Sequence, residues 1–331
     1  MSILVIGSGS IGKRHIKNLI GIGYKKDDIS AVDTREDRLA EVKALGINST
    51  FTSFEQSIKN KKYEKAIICS PTSMHIDQAT KLAQLGTHML IEKPLCSNLD
   101  GIENLRKICE EKKLVVMIAY IFRFSPAIKK VKELLDKNSI GEIYFARGEF
   151  SEYLPDWHPY EDYRSFYMAE KKLGGGSILD QCHIMDLMHY FFGKFKSVMG
   201  FNSKVSNLEL NADDISEMIV EMENGLTLSI HTDIFGRKHR KCIEIKGSDG
   251  NIFWDFYDNS VTFFKSDNKS TIIFNNFDKD FNNSYIDEIR HFLHCVENKK
   301  EPEITLQDGI DTMNLILGCE KSHKLKKLVI I

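Results

Sequence analysis

The sequence predicts an α/β protein in two parts: a doubly wound parallel sheet, then an α/β domain with a large, mainly antiparallel open sheet. Three observations indicate this. A glycine-rich turn follows the first apolar run, short β-rich runs then alternate with helical segments, and longer alternating strands begin near residue 140. Strands separated by helices form a parallel sheet, whereas long alternating strands joined by short turns pair antiparallel. We predict a first domain over residues 1–122 and a second over residues 123–331.

The first part contains five apolar runs with the length and composition of buried strands. They lie near residues 3–6, 29–33, 65–70, 87–91 and 114–120. Charged segments with helical periodicity separate them, for example 74–85 and 98–112. In the second part, turns at Asn224-Gly225 and Asp249-Gly250 join alternating strands, and two helices, roughly 285–299 and 306–327, follow.

The first strand leads directly into a turn suited to phosphate. Gly7, Gly9 and Gly12 have the spacing G-x-G-x-x-G before a helical run. Such glycines permit a tight turn, close approach to a pyrophosphate and packing of helix on strand, while free N–H groups at the helix start attract phosphate. Asp33 ends the second strand, where a carboxylate accepts a hydrogen bond from the adenosine ribose. Glycine triplets also occur in ordinary turns, but this order of elements predicts a dinucleotide-binding Rossmann domain.

The composition excludes several classes of function. The 331 residues include 45 Lys plus Arg against 47 Asp plus Glu, and a net charge of −2 offers no field for nucleic acid or an anionic membrane. No apolar run approaches the ~20 residues of a membrane span and no secretion signal is apparent, so we expect a cytoplasmic protein. The seven cysteines are scattered without C-x-x-C pairs, which favours reduced thiols over disulfides or a zinc site.

Polar motifs follow two later strands of the first domain. The segment 70–72 follows one strand, and the next strand ends at Glu92, Lys93 and Pro94. In open α/β sheets, ligands bind beyond the carboxyl ends of the strands. A helix cap and a solvated charge pair are the structural alternatives. A lysine beside an oxidised nicotinamide feels a positive charge that lowers its pKa toward the acid/base range, so Lys93 is the candidate proton carrier.

A second group of candidates follows the glycine run at 174–176. The sequence predicts one helix that carries Asp180, His183, Asp186 and His189. At about 100° per residue, Asp180 and His183 share a face while His189 lies opposite Asp180. Three interpretations remain open: a divalent metal site, an acid/base pair, or capping with core packing. The metal site is disfavoured because the four side chains do not converge and no H-E-x-x-H or cysteine support accompanies them.

The segment 152–172 is rich in side chains suited to sugars. They are Tyr153, Trp157, His158, Tyr160, Tyr163, Arg164 and Tyr167. Aromatic rings with polar ends stack on a sugar face and hydrogen-bond its hydroxyls, and an arginine holds a carboxylate or phosphate. An arm that packs on a neighbouring subunit is the alternative, and both interpretations remain open.

Together these motifs resemble the Gfo/Idh/MocA family of NAD(P)-dependent oxidoreductases over essentially the whole chain. In order, the motifs are GSGSIGKRH, SPTSMH, EKPL, AYIFRFSP, the GGG-x-x-x-D helix and a closing segment that begins YIDEIRHFLHC. The resemblance implies hydride transfer between nicotinamide and a hydroxyl-bearing carbon of a sugar, sugar derivative or cyclitol. It also implies that the open sheet forms the interface of a homodimer or homotetramer.

The resemblance implies roles for particular residues. Lys93 would contact cofactor and reacting hydroxyl, Asp180 would bind substrate, and His183 would transfer a proton. Most members place the histidine four residues after the aspartate, whereas D-x-x-H-x-x-D here has a spacing of three. That spacing resembles a branch associated with sugars of bacterial surface polysaccharides.

The predicted site therefore has three groups of residues. The catalytic group is Lys93, Asp180 and His183, and the substrate contacts are Lys93, Tyr153, Trp157, His158, Arg164, Asp180 and His183. The cofactor contacts are Gly7, Gly9, Ser10, Ile11, Gly12, Asp33, Thr34, Arg38, Ser70, Pro71, Thr72, His75, Glu92, Lys93 and Arg123. We predict no metal, nucleic-acid or membrane partner.

The choice of cofactor and the choice of function both remain open. Asp33 favours NAD because a carboxylate repels a 2′-phosphate, although Arg35 and Arg38 would favour NADP. The alternatives to a dehydrogenase or reductase are glycoside hydrolysis through transient oxidation by tightly held NAD, and a non-catalytic dinucleotide-sensing protein.

Overall fold

The computed structural model describes residues 2–157, 161–265, 269–275 and 281–331. The chain divides into two units, Met1–Ile121 with Asn282–Gly309, and Phe122–Phe281 with Ile310–Ile331. Residues 282–309, which the sequence analysis assigned to the second domain, thus belong to the first unit. The cause is long-range packing: helix α9 (Asn282–Asn298) lies on helix α1 (Ser10–Gly21), and the amides of Asn18 and Asn282 exchange hydrogen bonds of 3.2 and 2.9 Å.

A six-stranded parallel sheet forms the centre of the first unit. Its order is β3-β2-β1-β4-β5-β6, so the chain reverses direction across the sheet between β1 and β4, as in a doubly wound fold. The strands are β1 Ile3–Ile6, β2 Ile29–Val32, β3 Ser49–Phe51, β4 Lys65–Ile68, β5 His88–Ile91 and β6 Val116–Ile118. The other helices are α2 Glu36–Ala44, α3 Phe54–Asn60, α4 His75–Gln84 and α5 Ile102–Lys112.

Burial explains which strands the sequence revealed. All residues of β1, β2 and β4 are buried, the pattern of strands covered by helices on both faces. In contrast, β3 has three half-buried residues at the edge of the sheet. The sequence analysis did not identify β3 because so short a segment has no apolar run.

The second unit contains a nine-stranded sheet. Its order is β14-β13-β12-β11-β7-β10-β9-β8-β15, and β7 pairs parallel with β10 while the other pairs are antiparallel. The strands are β7 Ile143–Tyr153, β8 Phe195–Ser203, β9 Ile215–Met222, β10 Thr227–Asp233, β11 Phe235–Gly247, β12 Gly250–Asp255, β13 Ser260–Lys265, β14 Ser270–Asn275 and β15 Val329–Ile330. The helices are α6 Pro126–Asp136, α7 Ser177–Asp180, α8 His183–Phe192 and α10 Leu306–Leu325, which begins in the first unit.

The helix predicted after the glycine run is broken into two. Helix α7 ends at Asp180 and helix α8 begins at His183, so the prediction of one continuous helix is wrong. Gln181 lies in the break, where its amide donates to the carbonyl of Asp233 (2.9 Å) and accepts from the hydroxyl of Ser177 (3.3 Å). These bonds to a strand and to the preceding turn stabilise the break, and the angular spacing of a regular helix does not apply across it.

None of the helices in the described ranges is long and apolar enough to cross a membrane. All seven cysteines are free, and six of them are buried. Burial raises the pKa of Cys96 and of Cys319 to about 12, which keeps both as unreactive thiols.

Candidate active site

Two positions of the turn after β1 have no room for a side chain. Gly7 has a φ of +87°, and a Cβ there would lie 2.4 Å from the carbonyl oxygen of Cys69. A Cβ on Gly12 would lie 1.9 Å from the carbonyl oxygen of Gly7. Since both obstacles are backbone atoms, only glycine fits. Helix α1 begins at Ser10 with Gly9 as its N-cap, which has no side chain to occupy the first N–H groups, so they remain available to a pyrophosphate.

Asp33 orders the same turn from the end of β2. One carboxylate oxygen accepts from the N–H of Ser8 (2.7 Å), the other from the N–H of Arg35 (2.9 Å). The Arg38 guanidinium lies 3.7 Å from the Asp33 carboxylate, whereas the guanidinium of Arg35 pairs with Asp37 (2.5 and 3.1 Å). Arg38 is therefore the cation available to the 2′-phosphate of NADP, and it lies beside the Asp33 carboxylate, which favours NAD.

His75 connects the two loops that follow β4 and β5. Its Nε2 lies 2.8 Å from the carbonyl oxygen of Ser70, and its Nδ1 lies 3.0 Å from that of Pro94. Burial lowers the pKa of His75, although both carbonyls favour the charged form. Because both ring nitrogens face backbone carbonyls, His75 orders the loops that carry the predicted cofactor contacts Ser70, Pro71 and Thr72.

Lys93 lies two residues beyond the end of β5. Its backbone N–H donates to Glu92 Oε2 (3.2 Å), while Glu92 Oε1 lies 2.8 Å from His15 Nε2. Glu92 and His15 are buried, whereas Lys93 is partly exposed. The buried side chains of Glu92 and His15 thus fix the backbone at Lys93, and Lys93 itself remains partly exposed.

Two residues of α9, Tyr285 and Glu288, join this group, and the sequence analysis did not identify either. Glu288 is fully buried, and within the described ranges neither carboxylate oxygen has a hydrogen-bond partner. Burial, with a contribution from the Glu92 carboxylate, raises the pKa of Glu288 well above its usual value. Burial also raises the pKa of Tyr285 to about 12, with Arg14 and Lys93 acting in the opposite direction. Their segment of sequence indicated only a helix with one apolar face.

In the second unit, Asp180 and His183 have different neighbours. Asp180 is buried and accepts a hydrogen bond from the hydroxyl of Tyr167. The ring of His183 packs edge-on against Phe122 at a centroid distance of 4.9 Å. Phe122 is the centre of an aromatic cluster with Phe150, Trp254, Phe256 and Phe281. Tyr167, which donates this hydrogen bond, comes from the aromatic segment 152–172. The spacing of residues within one helix did not indicate this contact.

Arg123 and Asp186 form a buried ion pair. Arg123 Nε lies 3.1 Å from both carboxylate oxygens, and Nη2 lies 2.6 Å from Oδ1. The two side chains are 3% and 0% exposed, and the guanidinium also lies over the ring of Tyr190. The pair joins α8 to the segment that follows Phe122. The cofactor contact predicted for Arg123 stays a prediction.

The aromatic segment packs partly on its own core. Leu154, Met168, Leu208 and Ile234 form this core, against which the rings of Tyr153, Trp157, Tyr163, Phe166 and Tyr167 pack. The guanidinium of Arg164 lies 3.1 Å from Asp162 and 3.5 Å from Glu209. His158 and Tyr160 lie outside the described residues. Packing within the unit is a role that neither sequence interpretation included.

One group in the described ranges has the spacing of metal donors: His15, Cys69 and Glu92, with ligand atoms within 4.8 Å of one another. Two observations favour hydrogen bonding there. Glu92 and His15 bond to each other, and loss of water around Cys69 raises the pKa of its thiol well above normal. A metal ligand must be a thiolate, so this cysteine is a poor donor.

Comparison with known proteins identifies the family. Residues 1–120 match the profile described as "Oxidoreductase family, NAD-binding Rossmann fold", and residues 128–253 match the profile described as "GFO/IDH/MocA C-terminal domain". The chain belongs to the Gfo/Idh/MocA family of oxidoreductases, and its first unit is an NAD-binding Rossmann fold. The predictions of fold class, of family and of NAD, with NADP possible, as cofactor are confirmed.

The chain is similar to two inositol dehydrogenases along most of its length. It is 27% identical over 342 residues to myo-inositol 2-dehydrogenase of Thermotoga maritima, covering 99% of this chain and 97% of that one. It is 26% identical to scyllo-inositol 2-dehydrogenase (NAD(+)) of Bacillus subtilis, covering 97% and 93%. Levoglucosan dehydrogenase in complex with NADH has the same fold, with a TM-score of 0.87 at 18% identity over 100% of this chain and 99% of that one.

Proposed function

We propose that this protein transfers hydride between NAD and a hydroxyl-bearing carbon of a cyclitol or sugar, with Lys93 as the proton carrier. The placement of Lys93 is the observation that carries this proposal. Lys93 follows β5 in the sheet that also carries the glycine turn and Asp33, and buried Glu92 and His15 fix its backbone. A proton carrier must be held in place and accessible, and the hydrogen-bonded backbone and partial exposure of Lys93 support this role. The two inositol dehydrogenases support cyclitols as the first substrates to test.

The chain's own groups have separate tasks in this proposal. The turn at Gly7–Gly12 holds the pyrophosphate, and Asp33 accepts a hydrogen bond from the adenosine ribose. Bound NAD supplies the hydride acceptor. When an alcohol is oxidised, its carbon loses a hydride and its oxygen loses a proton, which the neutral amine of Lys93 accepts; reduction reverses both steps.

The proposed substrate contacts other than Lys93 lie in the second unit. They are Asp180 and His183, with Tyr153, Trp157, His158 and Arg164 as further contacts. The hydroxyl of Tyr167 orients the Asp180 carboxylate in the structure. The spacing D-x-x-H-x-x-D supports a second substrate class, sugars of bacterial surface polysaccharides, so nucleotide-linked sugars belong in the same substrate panel.

We also propose a homodimer or homotetramer that forms through the outer face of the nine-stranded sheet. Met199 and Ile219 are cross-strand neighbours on this face and are 45% and 49% exposed. Phe201, also on β8, is 41% exposed, while Val198 and Val220 point to the buried side. Adjacent exposed apolar side chains are typical of an interface.

The function is tested by formation of NADH from NAD+ in the presence of myo-inositol, scyllo-inositol, free sugars or UDP-linked sugars. Lys93→Met keeps the apolar stem but removes the exchangeable protons, so NAD+ binding should persist while hydride transfer slows roughly 10²–10⁴-fold. Lys107→Met, at an exposed lysine of α5 (75% exposed), is the matched control. A hydride-transfer rate in Lys93→Met within about tenfold of wild type would move the proton role to His183.

The same experiment separates the alternative functions. Glycoside hydrolysis would show NAD that copurifies with the protein and product without net NADH. A dinucleotide sensor would bind NAD+ and oxidise nothing in the panel.

A further inference from the structure

Three buried ionisable side chains lie near Lys93 in the first unit. His15 from α1 and Glu288 from α9 are 0% exposed, and Glu92 after β5 is 8% exposed. The thiol of Cys69 lies beside His15 and Glu92. We call His15, Glu92 and Glu288 the buried cluster. Its three ionisable groups are close together and largely removed from water, so their charges are strongly coupled.

Hydrogen bonds identify the charged member of the buried cluster. His15 Nε2 is 2.8 Å from Glu92, while within the described ranges His15 Nδ1 is buried without a hydrogen-bond partner. A buried nitrogen without an acceptor is least costly when it carries no proton, so His15 is the neutral tautomer that donates through Nε2. Glu92 accepts this bond and the N–H of Lys93 (3.2 Å). Glu92 is therefore the carboxylate.

Glu288 is the opposite case. Neither of its oxygens receives a hydrogen bond from the described residues, and the Glu92 carboxylate lies near enough to disfavour a second negative charge. The other groups around Glu288 are Cys69 after β4, Tyr285 on α9, Arg14 and Lys93. At Tyr285, the positive charges of Arg14 and Lys93 lower the pKa, whereas the carboxylates of Glu92 and Glu288 raise it. Two neighbouring buried carboxyl groups hold one proton between them. Glu288 is thus a neutral acid when Glu92 is ionised.

The sheet order places this acid on the nicotinamide side. A dinucleotide crosses a doubly wound sheet at the point where the strand order reverses, here between β1 and β4. Asp33, after β2, marks the adenosine half, so the nicotinamide half belongs on the side of β4 and β5. The oxidised ring carries a positive charge and the reduced ring does not, and a nearby positive charge favours ionisation of a carboxyl group.

We propose that Glu288 holds a proton in the free protein and releases it when NAD+, but not NADH, binds. Glu288 then acts as a positioning residue: its charge state makes the preference for NAD+ over NADH depend on pH. The inference rests on the proposed NAD site beside Lys93. By linkage, the ratio of the two dissociation constants changes by up to about tenfold per pH unit while the proton is being released.

Calorimetric titration of the full chain tests this proposal. NAD+ and NADH are each titrated in buffers of different ionisation enthalpy, which measures the protons released. Wild type should release up to one proton with NAD+ and fewer with NADH. Glu288→Gln should remove this difference, whereas Glu111→Gln, an exposed glutamate of α5, should retain it. Glu288→Met serves the same purpose if the glutamine variant folds poorly.

Two results would overturn the proposal. The first is that wild type binds NAD+ without releasing more protons than with NADH. The second is that the Glu288 variants release as many protons as wild type, in which case the proton comes from Lys93. Failure of NAD+ to bind at all would contradict the proposed function instead. The proton on Glu288 is then tested by unfolding. Its stabilising effect is complete below the unfolded pKa of about 4.3 and is lost as pH rises through the higher folded pKa, so stability should fall over that range in wild type but not in Glu288→Gln. Equal pH profiles would refute a proton held by Glu288.

Discussion

Replacing Asp186 by Asn tests how far the second unit depends on the buried Arg123–Asp186 pair. The substitution keeps the size of the side chain and removes its charge. Arg123 keeps its charge because guanidinium does not deprotonate in proteins, and it is only 3% exposed. An amide offers one oxygen where the carboxylate offers two, and its NH₂ group would face the guanidinium N–H donors that now contact Oδ1 and Oδ2.

The structure indicates a large effect. Breaking a buried pair by removing one partner costs about 3–5 kcal/mol, because the buried guanidinium loses the carboxylate that faces it. For a cooperative unit of this size, each kcal/mol corresponds to roughly 2–4 °C in Tm, so a decrease of roughly 6–20 °C is expected. The pair joins α8 to the segment after Phe122, so packing around His183 should loosen as well.

Thermal and urea unfolding followed by circular dichroism measure this loss. Glu103→Gln, which removes one partner of the exposed Arg106–Glu103 pair, is the control and should leave the midpoint unchanged. The double variant Arg123→Met with Asp186→Leu should lose less stability than Asp186→Asn alone, because an apolar replacement leaves no buried charge. A loss below about 1 kcal/mol in Asp186→Asn would refute the reasoning.

The remaining predictions concern cofactor choice and assembly. Asp33→Ala should narrow the difference between NADH and NADPH affinities in fluorescence titration, because it removes a negative charge and leaves Arg38 beside the site; wild-type preference for NADPH would contradict the role of Asp33. Ile219→Glu should lower the mass measured by sedimentation, because it places a charge in the apolar face of the sheet, whereas Leu85→Glu, at an exposed position of the first unit, should not. An unchanged mass in Ile219→Glu would argue against assembly through this face.

Local features of the sequence determined most of the parallel sheet of the first unit and the cofactor turn. The run Ile3–Ile6 and the spacing Gly7–Gly12 act within a few residues of one another, and the obstacle to a Cβ on Gly12 is the backbone of Gly7 itself. Asp33 was recognisable because it ends the second apolar run. Lys93 was recognisable for the same reason, since its position follows from the end of one buried strand. Periodicity also revealed the last two helices and most of the long antiparallel strands, although not β8.

Only the tertiary structure decided which distant groups meet. Asn18 with Asn282 places α9 in the first unit, Arg123 binds Asp186, and Gln181 bonds to the strand that ends at Asp233. The Glu92 carboxylate contributes to the raised pKa of Glu288. A local pattern shows that Glu288 is an acid on a helix, but its environment depends on which other helix and strands pack around it. Burial, with no hydrogen-bond donor among the described residues, raises the pKa of this acid, and that is a property of packing between segments far apart in the chain.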